Sequence, residues 1–167
     1  MVFYLTRKNG YVLLSRRPTS GLLGGMRQRA DERRSARSSG VPTSAELAAQ
    51  VQPAMQGDAQ AQFNLGSIYG SGSENKRNYK KAFKWYRLAA KQGLPQAQFN
   101  LSIMYRKGWG VLKDYVEAYK WANLSSANGH KNGAKLREYI EGQMTPTQIE
   151  KSQHLSRQCV DKNYVGC

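Results

Sequence analysis

The stretch that decides the fold reads 58-DAQAQFNLGSIYGSGSENKRNYKKAFKWYRLAAKQG-93 and continues as 94-LPQAQFNLSIMYRKGWGVLKDYVEAYKWANLSSANG-129. Aligned at an offset of 36 residues without a gap, the two segments are identical at 14 of 36 positions. Unrelated segments of ordinary composition would share about two or three. This self-similarity predicts an array of structural repeats, and residues 43–57 are interpreted as the second helix of an earlier, degenerate unit.

Each unit has the apolar spacing of two helices. In the first helix the apolar residues lie at i, i+4, i+7 and i+8, and the second helix has the same period. Gly93 and Gly129 are predicted to end the second helices, where a left-handed residue is favoured, and Asn78 and Asp114 to cap their starts. The predicted repeat core consists of matched pairs: Ala61 and Ala97, Leu65 and Leu101, Tyr69 and Tyr105, Tyr79 and Tyr115, Ala82 and Ala118, Trp85 and Trp121.

Three phrases within these units match the signature of a known family. They are A-x-A-Q-x-N-L-G-x-x-Y at Ala59–Tyr69, A-x-x-W-Y-x-x-A-A-x-x-G at Ala82–Gly93 and G-x-G-V-x-x-D-Y at Gly108–Tyr115. Residues 58–129 therefore resemble the Sel-one-like repeat, a relative of the tetratricopeptide repeat. The resemblance implies an all-α fold, a right-handed solenoid of stacked helix-turn-helix repeats, with repeat 1 at 58–93 and repeat 2 at 94–129.

The same resemblance implies a function in protein interaction. Family members act as scaffolds or adaptors, so the chain is expected to bind a peptide or protein segment in a concave groove, with no cofactor and no enzymatic activity. The candidate groove residues are Gln62, Asn64, Gln98, Asn100 and Arg106. The alternative for Asn64 and Asn100 is that they brace the repeat. His130 and His154 lack a partnered Ser or Cys, so no catalytic site is predicted.

The segment at 130–167 is predicted to form helices that cap the array. Its last helix is expected over Pro146–Val160, with Thr145 as N-cap and Pro146 in the first turn. The phrase M-T-P-x-Q-I at Met144–Ile149 resembles the C-terminal cap of many bacterial members of the family. Stacked repeats need such polar ends, because an open end would expose apolar surface.

The two cysteines, Cys159 and Cys167, are both near the end of the sequence. Eight residues along one straight helix separate the Cα atoms by ~12 Å, which is beyond the reach of a disulfide. A bond therefore requires the chain to turn back, and bonded and free thiols are left as alternatives. A metal site is not predicted, because zinc requires about four ligands and no His or carboxylate cluster lies nearby.

The first 42 residues differ from the rest. Residues 1–26 predict a β-hairpin, with strands at Val2–Leu5 and Tyr11–Ser15 around an Asn-Gly turn. They resemble the start of the C-terminal, nudix-like domain of MutY-type adenine DNA glycosylases, and are interpreted as a remnant of that domain. Residues 27–42 have the composition of a basic linker, so this N-terminus is expected to be hairpin-like or disordered.

The charge of the chain leaves a second function open. There are 26 Lys and Arg against 11 Asp and Glu, a net charge of +15. Residues 1–40 hold nine basic and two acidic residues, and residues 41–167 hold 17 and nine. The basic N-terminus therefore allows nucleic-acid binding as an alternative, whereas the basic residues of repeat 1 are expected on a solvated face: Lys80, Lys81, Lys84, Arg87 and Lys91.

Localisation is not determined by the sequence. No apolar stretch approaches the ~20 residues of a membrane span, and no signal peptide is predicted. These expectations indicate a cytoplasmic chain as given, whereas the C-terminal cysteine pair and the family point to periplasmic or secreted relatives. Because two and a half repeats are near the lower limit for independent stability, self-association is also considered.

Overall fold

The structure is a computed structural model that describes residues 5–8, 11–14, 44–71 and 77–167. The chain divides into two compact units, residues 1–39 and 40–167. In the described part of the first unit, strands β1 (Leu5–Lys8) and β2 (Tyr11–Leu14) form an antiparallel pair.

The first strand of the hairpin extends farther than predicted. We predicted it at Val2–Leu5, and β1 continues to Lys8, whereas positions 2–4 lie outside the described residues. Lys8 pairs with Tyr11, so the pairing begins directly beside a two-residue connection, as in the commonest hairpins. The predicted Asn-Gly turn at residues 9 and 10 and the linker at 27–42 lie outside the described residues.

The second unit is built from consecutive α-helices. These are α1 (Ser44–Met55), α2 (Ala59–Gly70), α3 (Tyr79–Ala90), α4 (Pro95–Lys107), α5 (Tyr115–Ala127), α6 (Gly133–Glu141) and α7 (Pro146–Asp161). From α1 to α6 each helix packs against the next one in the chain, and α7 returns to pack against α5. The predicted all-α array of helix pairs is therefore confirmed.

Short-range sequence signals set the ends of the helices. The side chain of Asn78 accepts from the backbone N–H of Lys81, and that of Asp114 accepts from those of Val116 and Glu117. Thr145 and Gln148 form a reciprocal capping box at the start of α7. Gly93 and Gly129 follow the second helices at φ of +83° and +87°.

The core runs through the repeats as three neighbouring apolar clusters. The largest joins α3, α4 and α5 and includes Leu101, Met104 and Trp121, with Cys159 of α7 against it. A second lies between α5 and α6 around Ile140, and a third between α1 and α2 around Leu65. Of the predicted core residues, five aromatic ones are half-buried: Tyr69, Tyr79, Trp85, Tyr105 and Tyr115. The others are buried: Ala61, Leu65, Ala82, Ala97, Leu101, Ala118 and Trp121.

The two repeats fill one equivalent interior position with different side chains. In repeat 1 the ring of Tyr86 lies over Gly66, and a Cβ on this glycine would come within 2.6 Å of the ring. The matched positions in repeat 2 are Ser102 and Ala122, and Ser102 Oγ donates to the carbonyl of Ala118 at 2.7 Å. A large residue opposite glycine in one unit is thus replaced by two small residues in the other.

Candidate functional site

Gln62 and Gln98 lie between successive repeats. Their side chains are 5% and 0% exposed. Gln62 Nε2 donates to the carbonyl of Ala54, and Gln98 Nε2 donates to that of Ala90, each at 3.1 Å. The prediction that these two glutamines face a groove is wrong, because each amide satisfies a buried carbonyl of the preceding helix instead.

A second amide completes each of these contacts. Gln92 donates to Gln62 Oε1 at 2.8 Å, and Asn128, at the position matching Gln92, donates to Gln98 Oε1 at 2.9 Å. Asn128 also exchanges hydrogen bonds with the hydroxyl of Tyr164 at 2.7 and 3.0 Å. The repeat boundaries are therefore held by matched pairs of amides.

The C-terminal turn that carries Tyr164 is closed by a disulfide. Cys159 and Cys167 are bonded, with their Cα atoms 5.8 Å apart. The chain turns back after α7 through Asn163 and Tyr164, both at positive φ. This turn places the ring of Tyr164 against Gly93 at the boundary between the repeats.

The other three candidate groove residues are half-buried. Asn64 Nδ2 donates to Gln50 Oε1 of α1 at 2.9 Å, which fits the bracing alternative. Asn100 lines a cleft between α2, α3 and α4. The guanidinium of Arg106 lies 5.0 Å from the ring centroid of Tyr139 on α6. The structure therefore separates these three residues rather than gathering them into one patch.

The cleft that Asn100 lines, here named the central cleft, is open to solvent and has a volume of ≈ 280 Å³. Its lining is mostly apolar, and the residues are Ser67, Gly70, Ser71, Tyr79, Ala82, Tyr86, Asn100, Ile103, Met104 and Trp109. The polar groups of Ser67, Tyr86 and Asn100 belong to it, and Tyr86 donates to Ser67 Oγ at 3.1 Å. No charged residue is part of this lining.

The aromatic wall of the central cleft comes from the linker of repeat 2. Trp109 stacks on Tyr79, with ring centroids 4.9 Å apart and planes 12° apart. Gly110, at φ of +73°, allows this stacking, because a Cβ there would overlap the backbone carbonyl of Tyr79. Trp109 is 39% exposed, so part of its ring is available at the rim.

A shallower cleft, here named the terminal cleft, lies between α1 and α2. Its lining residues are Glu46, Ala49, Gln50, Asn64, Ser67 and Ile68. Ser67 belongs to both clefts. The two clefts therefore adjoin along α2 and offer one continuous surface, which we call the cleft surface.

Basic side chains lie over aromatic rings near the repeat linkers. Arg77 Nη1 donates to the hydroxyl of Tyr79 at 2.9 Å, and Lys113 Nζ lies 4.7 Å from the ring centroid of Tyr115. Lys107, in the last turn of α4, is exposed. Of these three residues, Arg77 contacts a side chain that lines the central cleft.

One lysine of repeat 2 is buried rather than solvated. Lys120 is 4% exposed and forms an ion pair with Glu117 at 2.8 Å. Glu117 also accepts from the indole N–H of Trp121 at 3.2 Å. The matched position in repeat 1 is Lys84, which is exposed as predicted. The position that matches Glu117 is Lys81, so repeat 1 has no carboxylate there to pair with Lys84.

Burial shifts the pKa values of two titratable groups near the repeats. Burial raises the pKa of Tyr86, against smaller lowering effects from Ser67 and Asn100, so its hydroxyl is a neutral hydrogen-bond donor. Burial, then Lys131, lowers the pKa of His130, whose ring stacks on Phe99 at 4.2 Å. Among the described residues no group of three His, Cys, Asp or Glu has a metal-binding arrangement.

None of the described helices combines the length and the apolar character that crossing a membrane requires.

The family model for the Sel1 repeat matches residues 59–94 and 95–130. Residues 59–130 therefore form two consecutive Sel1 repeats. The resemblance predicted from the sequence is confirmed, with unit boundaries one residue later than predicted. Sel1 repeat proteins are helical repeat proteins that typically mediate protein interactions and are typically not enzymes.

Two solved structures are similar to this chain. One is c5321, a protective antigen present in uropathogenic Escherichia coli strains displaying an SLR fold, with 32% identity, a TM-score of 0.66, 71% of this chain covered and 26% of that chain. The other is a Sel1 repeat protein from Oxalobacter formigenes, with 25% identity, a TM-score of 0.54 and coverage of 68% and 88%. This chain thus spans about a quarter of the length of c5321. No curated protein matches it.

Sequence reasoning missed the main contributors to the central cleft. Tyr86 and Trp109 were not among the candidates, because they occupy positions where the two repeats differ. Tyr86 matches Ala122, and Trp109 matches Ser73. The available signal for the cleft residues was that they differ between the two repeats. Matched residues such as Gln62 and Gln98 instead form the hydrogen bonds that both repeats share.

Proposed function

We propose that this chain is a protein-interaction module that binds an extended segment of a partner protein along the cleft surface. The observation that supports the proposal is the central cleft, an open and mostly apolar cavity that adjoins the terminal cleft along α2. Ligand sites are typically concave and mainly apolar, with a few polar groups that fix orientation. The typical role of Sel1 repeats in protein interactions supports the same conclusion.

The form of the cleft surface favours a chain segment over a compact small molecule. The central and terminal clefts, with volumes of ≈ 280 and ≈ 360 Å³, adjoin along α2 and are both open to solvent, which suits a chain segment that lies across both. The terminal cleft continues the surface past Ser67 with Asn64 and Gln50, which bond each other through one N–H of Asn64, and an amide nitrogen has a second N–H to donate. An extended peptide needs such groups, because its backbone N–H and C=O groups lose water on binding.

The test places a photo-crosslinking amino acid at Ser71, an exposed residue that lines the central cleft. The matched control carries it at Thr147, an exposed residue of α7 that belongs to neither cleft. Both proteins are expressed in the source organism, and crosslinked proteins are identified with their crosslinked segments. Each segment is then synthesised and titrated against the purified full chain and against Ser71→Arg.

Support requires a discrete protein that crosslinks at Ser71 but not at Thr147, and whose synthetic segment binds the full chain at least ten times more tightly than it binds Ser71→Arg. Equal crosslinking at the two positions contradicts the proposal. So does a segment that binds the two proteins equally, because the added arginine occupies the mouth of the central cleft. Thr147→Arg controls for the added charge.

A further inference from the structure

We infer that the outer face of α3 binds the phosphate backbone of a nucleic-acid duplex without reading its base sequence. The residues that carry this inference, here named the basic stripe, are Lys80, Lys84, Arg87 and Lys91. They line neither the central nor the terminal cleft. The inference therefore goes beyond the proposed function and does not depend on it.

The basic stripe runs along one side of a regular helix. Its members follow each other at intervals of four, three and four residues, which places neighbours on the same face at about 5–6 Å between Cβ atoms. Lys80, Lys84 and Arg87 are exposed, and Lys91, in the C-cap, is half-buried with right-handed helical geometry. At a rise of about 1.5 Å per residue, the four cations form a row of roughly 16 Å.

No carboxylate neutralises this row within the described part of the chain. None of the four stripe residues forms an ion pair there. α3 packs mainly against α2 and α4, and none of these three helices contains Asp or Glu. The carboxylate of Glu117, on the next second helix, is already bonded to Lys120 and Trp121. The segment from position 77 to 113 holds nine basic residues and no acidic one, so the charge of the stripe is not balanced by its neighbours in sequence.

The repeat itself does not require the basic stripe. The matched residues of repeat 2 are Val116, Lys120, Asn123 and Ala127, of which only Lys120 is basic, and it is buried. Successive cations at i, i+3 and i, i+4 repel each other, and Lys80 lies in the first turn, where the helix dipole disfavours a cation. Residues that oppose local helix preferences without filling the core indicate a function for their charge.

The rest of α3 favours a duplex over other polyanions. The apolar side of the helix is buried against its neighbours, so it is not available for insertion into a membrane. Leu88, 47% exposed, is the exposed large apolar residue of α3, whereas a protein interface is anchored by a cluster of such side chains. The aromatic residues of α3 are half-buried or buried and offer no stacking platform for the bases of a single strand. An evenly spaced row of cations complements the regular charge of a phosphate backbone.

The experiment measures, by fluorescence anisotropy, how the affinity of the full chain for a short labelled DNA duplex depends on salt. The stripe variant combines Lys80→Gln, Lys84→Gln, Arg87→Gln and Lys91→Gln. The matched control removes the same charge from exposed positions on or directly after α6 and α7 and combines Lys135→Gln, Lys151→Gln, Arg157→Gln and Lys162→Gln. Both variants keep residues 1–42, so any contribution of the basic N-terminus is common to all the proteins.

At low salt the stripe variant should bind the duplex at least tenfold more weakly than the control variant. Each phosphate contact contributes ~0.9 to the slope of log affinity against log salt, so the slope should become shallower by about 3–4 in the stripe variant. In Lys84→Gln alone, a single exposed change that keeps the fold, it should become shallower by about one. The control should retain the slope of the parent. Equal changes in the stripe and control variants overturn the inference, as does a stripe variant that binds like the parent.

Unlabelled competitors, compared at equal concentrations of negative charge, distinguish the polyanions. A duplex of unrelated sequence should displace the label as well as the original duplex does, because phosphate contacts carry no sequence information. A strong sequence preference overturns the inference. So does stronger displacement by a single strand, by polyglutamate or by phosphatidylserine vesicles, because each assigns the stripe to another class of partner. The proposed function is tested separately, at Ser71 in the central cleft.

Discussion

Exchanging the interior pair of repeat 1 for that of repeat 2 tests how the two units are packed. Gly66→Ser places a Cβ within 2.6 Å of the Tyr86 ring, well inside contact distance. Overpacking of this kind costs about 1–3 kcal/mol of unfolding free energy, even though serine is the better helix former. Tyr86→Ala removes a ring that is 7% exposed and its bond to Ser67, at a cost of about 3–5 kcal/mol.

The double variant should be more stable than the sum of these losses predicts. Without the Tyr86 ring, the hydroxyl introduced at position 66 can donate to the carbonyl of Ala82, as Ser102 Oγ does to Ala118 at 2.7 Å. Removing the clash and gaining this bond should restore about 1–3 kcal/mol, the range of coupling energies for residues in contact. Against a total stability of about 5–15 kcal/mol, both the single losses and the coupling are measurable.

The assay is equilibrium urea unfolding of the full chain, followed by far-ultraviolet circular dichroism, for the parent, both single variants and the double variant. Gly70→Ala is the matched control, because a Cβ there meets Ala82 at an ordinary 3.6 Å and should cost little. Strict additivity of the two single losses would refute the reasoning, since it would show that positions 66 and 86 do not constrain each other. An equal loss in Gly70→Ala would point to a general requirement for glycine in α2.

Four further outcomes are expected. Glu117→Ala should lower the unfolding free energy by about 2–3 kcal/mol, because Lys120 would keep its charge in a buried position without a partner. This is somewhat less than for a fully enclosed pair, since Glu117 is half-buried. Glu117→Gln should lower the unfolding free energy less than Glu117→Ala. Cys167→Ser opens a ring with a sequence separation of 8 and should cost about 2.5 kcal/mol by loop entropy, which reductant should reproduce in the parent only. Because burial lowers the pKa of His130 in the folded chain, the unfolded chain takes up more protons on acidification. Thermal stability should therefore fall from about pH 7 to 5 more than in His130→Asn. If the basic N-terminus binds nucleic acid, deleting residues 1–42 should abolish salt-sensitive retention of DNA, and retention after the deletion contradicts this alternative.

The sequence predicted those parts of the fold that depend on periodicity and local hydrogen bonds. The 36-residue offset located the helix pairs, and residues such as Asn78, Asp114 and Thr145 cap helices where their side chains suit that position. These signals act within one turn of the chain. They can therefore be recognised in the sequence without knowledge of tertiary contacts.

The candidate site was less predictable, because its residues depend on contacts between repeats. Gln62 is polar and was expected to face solvent, yet its partner is a carbonyl eight residues earlier in the preceding helix. Lys120 is buried only because Glu117 stands where the first repeat has Lys81. Trp109 forms part of the cleft through a stack on a residue 30 positions earlier. The periodicity of apolar residues along a helix does not predict such contacts between helices.

The two buried glutamines also bear on how a ligand would associate. The same hydrogen bond, from a glutamine side chain to a backbone carbonyl, fixes each junction. Neighbouring helices therefore cannot slide or rotate without breaking a buried hydrogen bond. A rigid receptor loses little conformational entropy when a ligand binds. Its association rate is then set by diffusion and charge rather than by a slow rearrangement. Loosening the junctions, for example with Gln98→Ala, should therefore slow association even though Gln98 lines neither cleft.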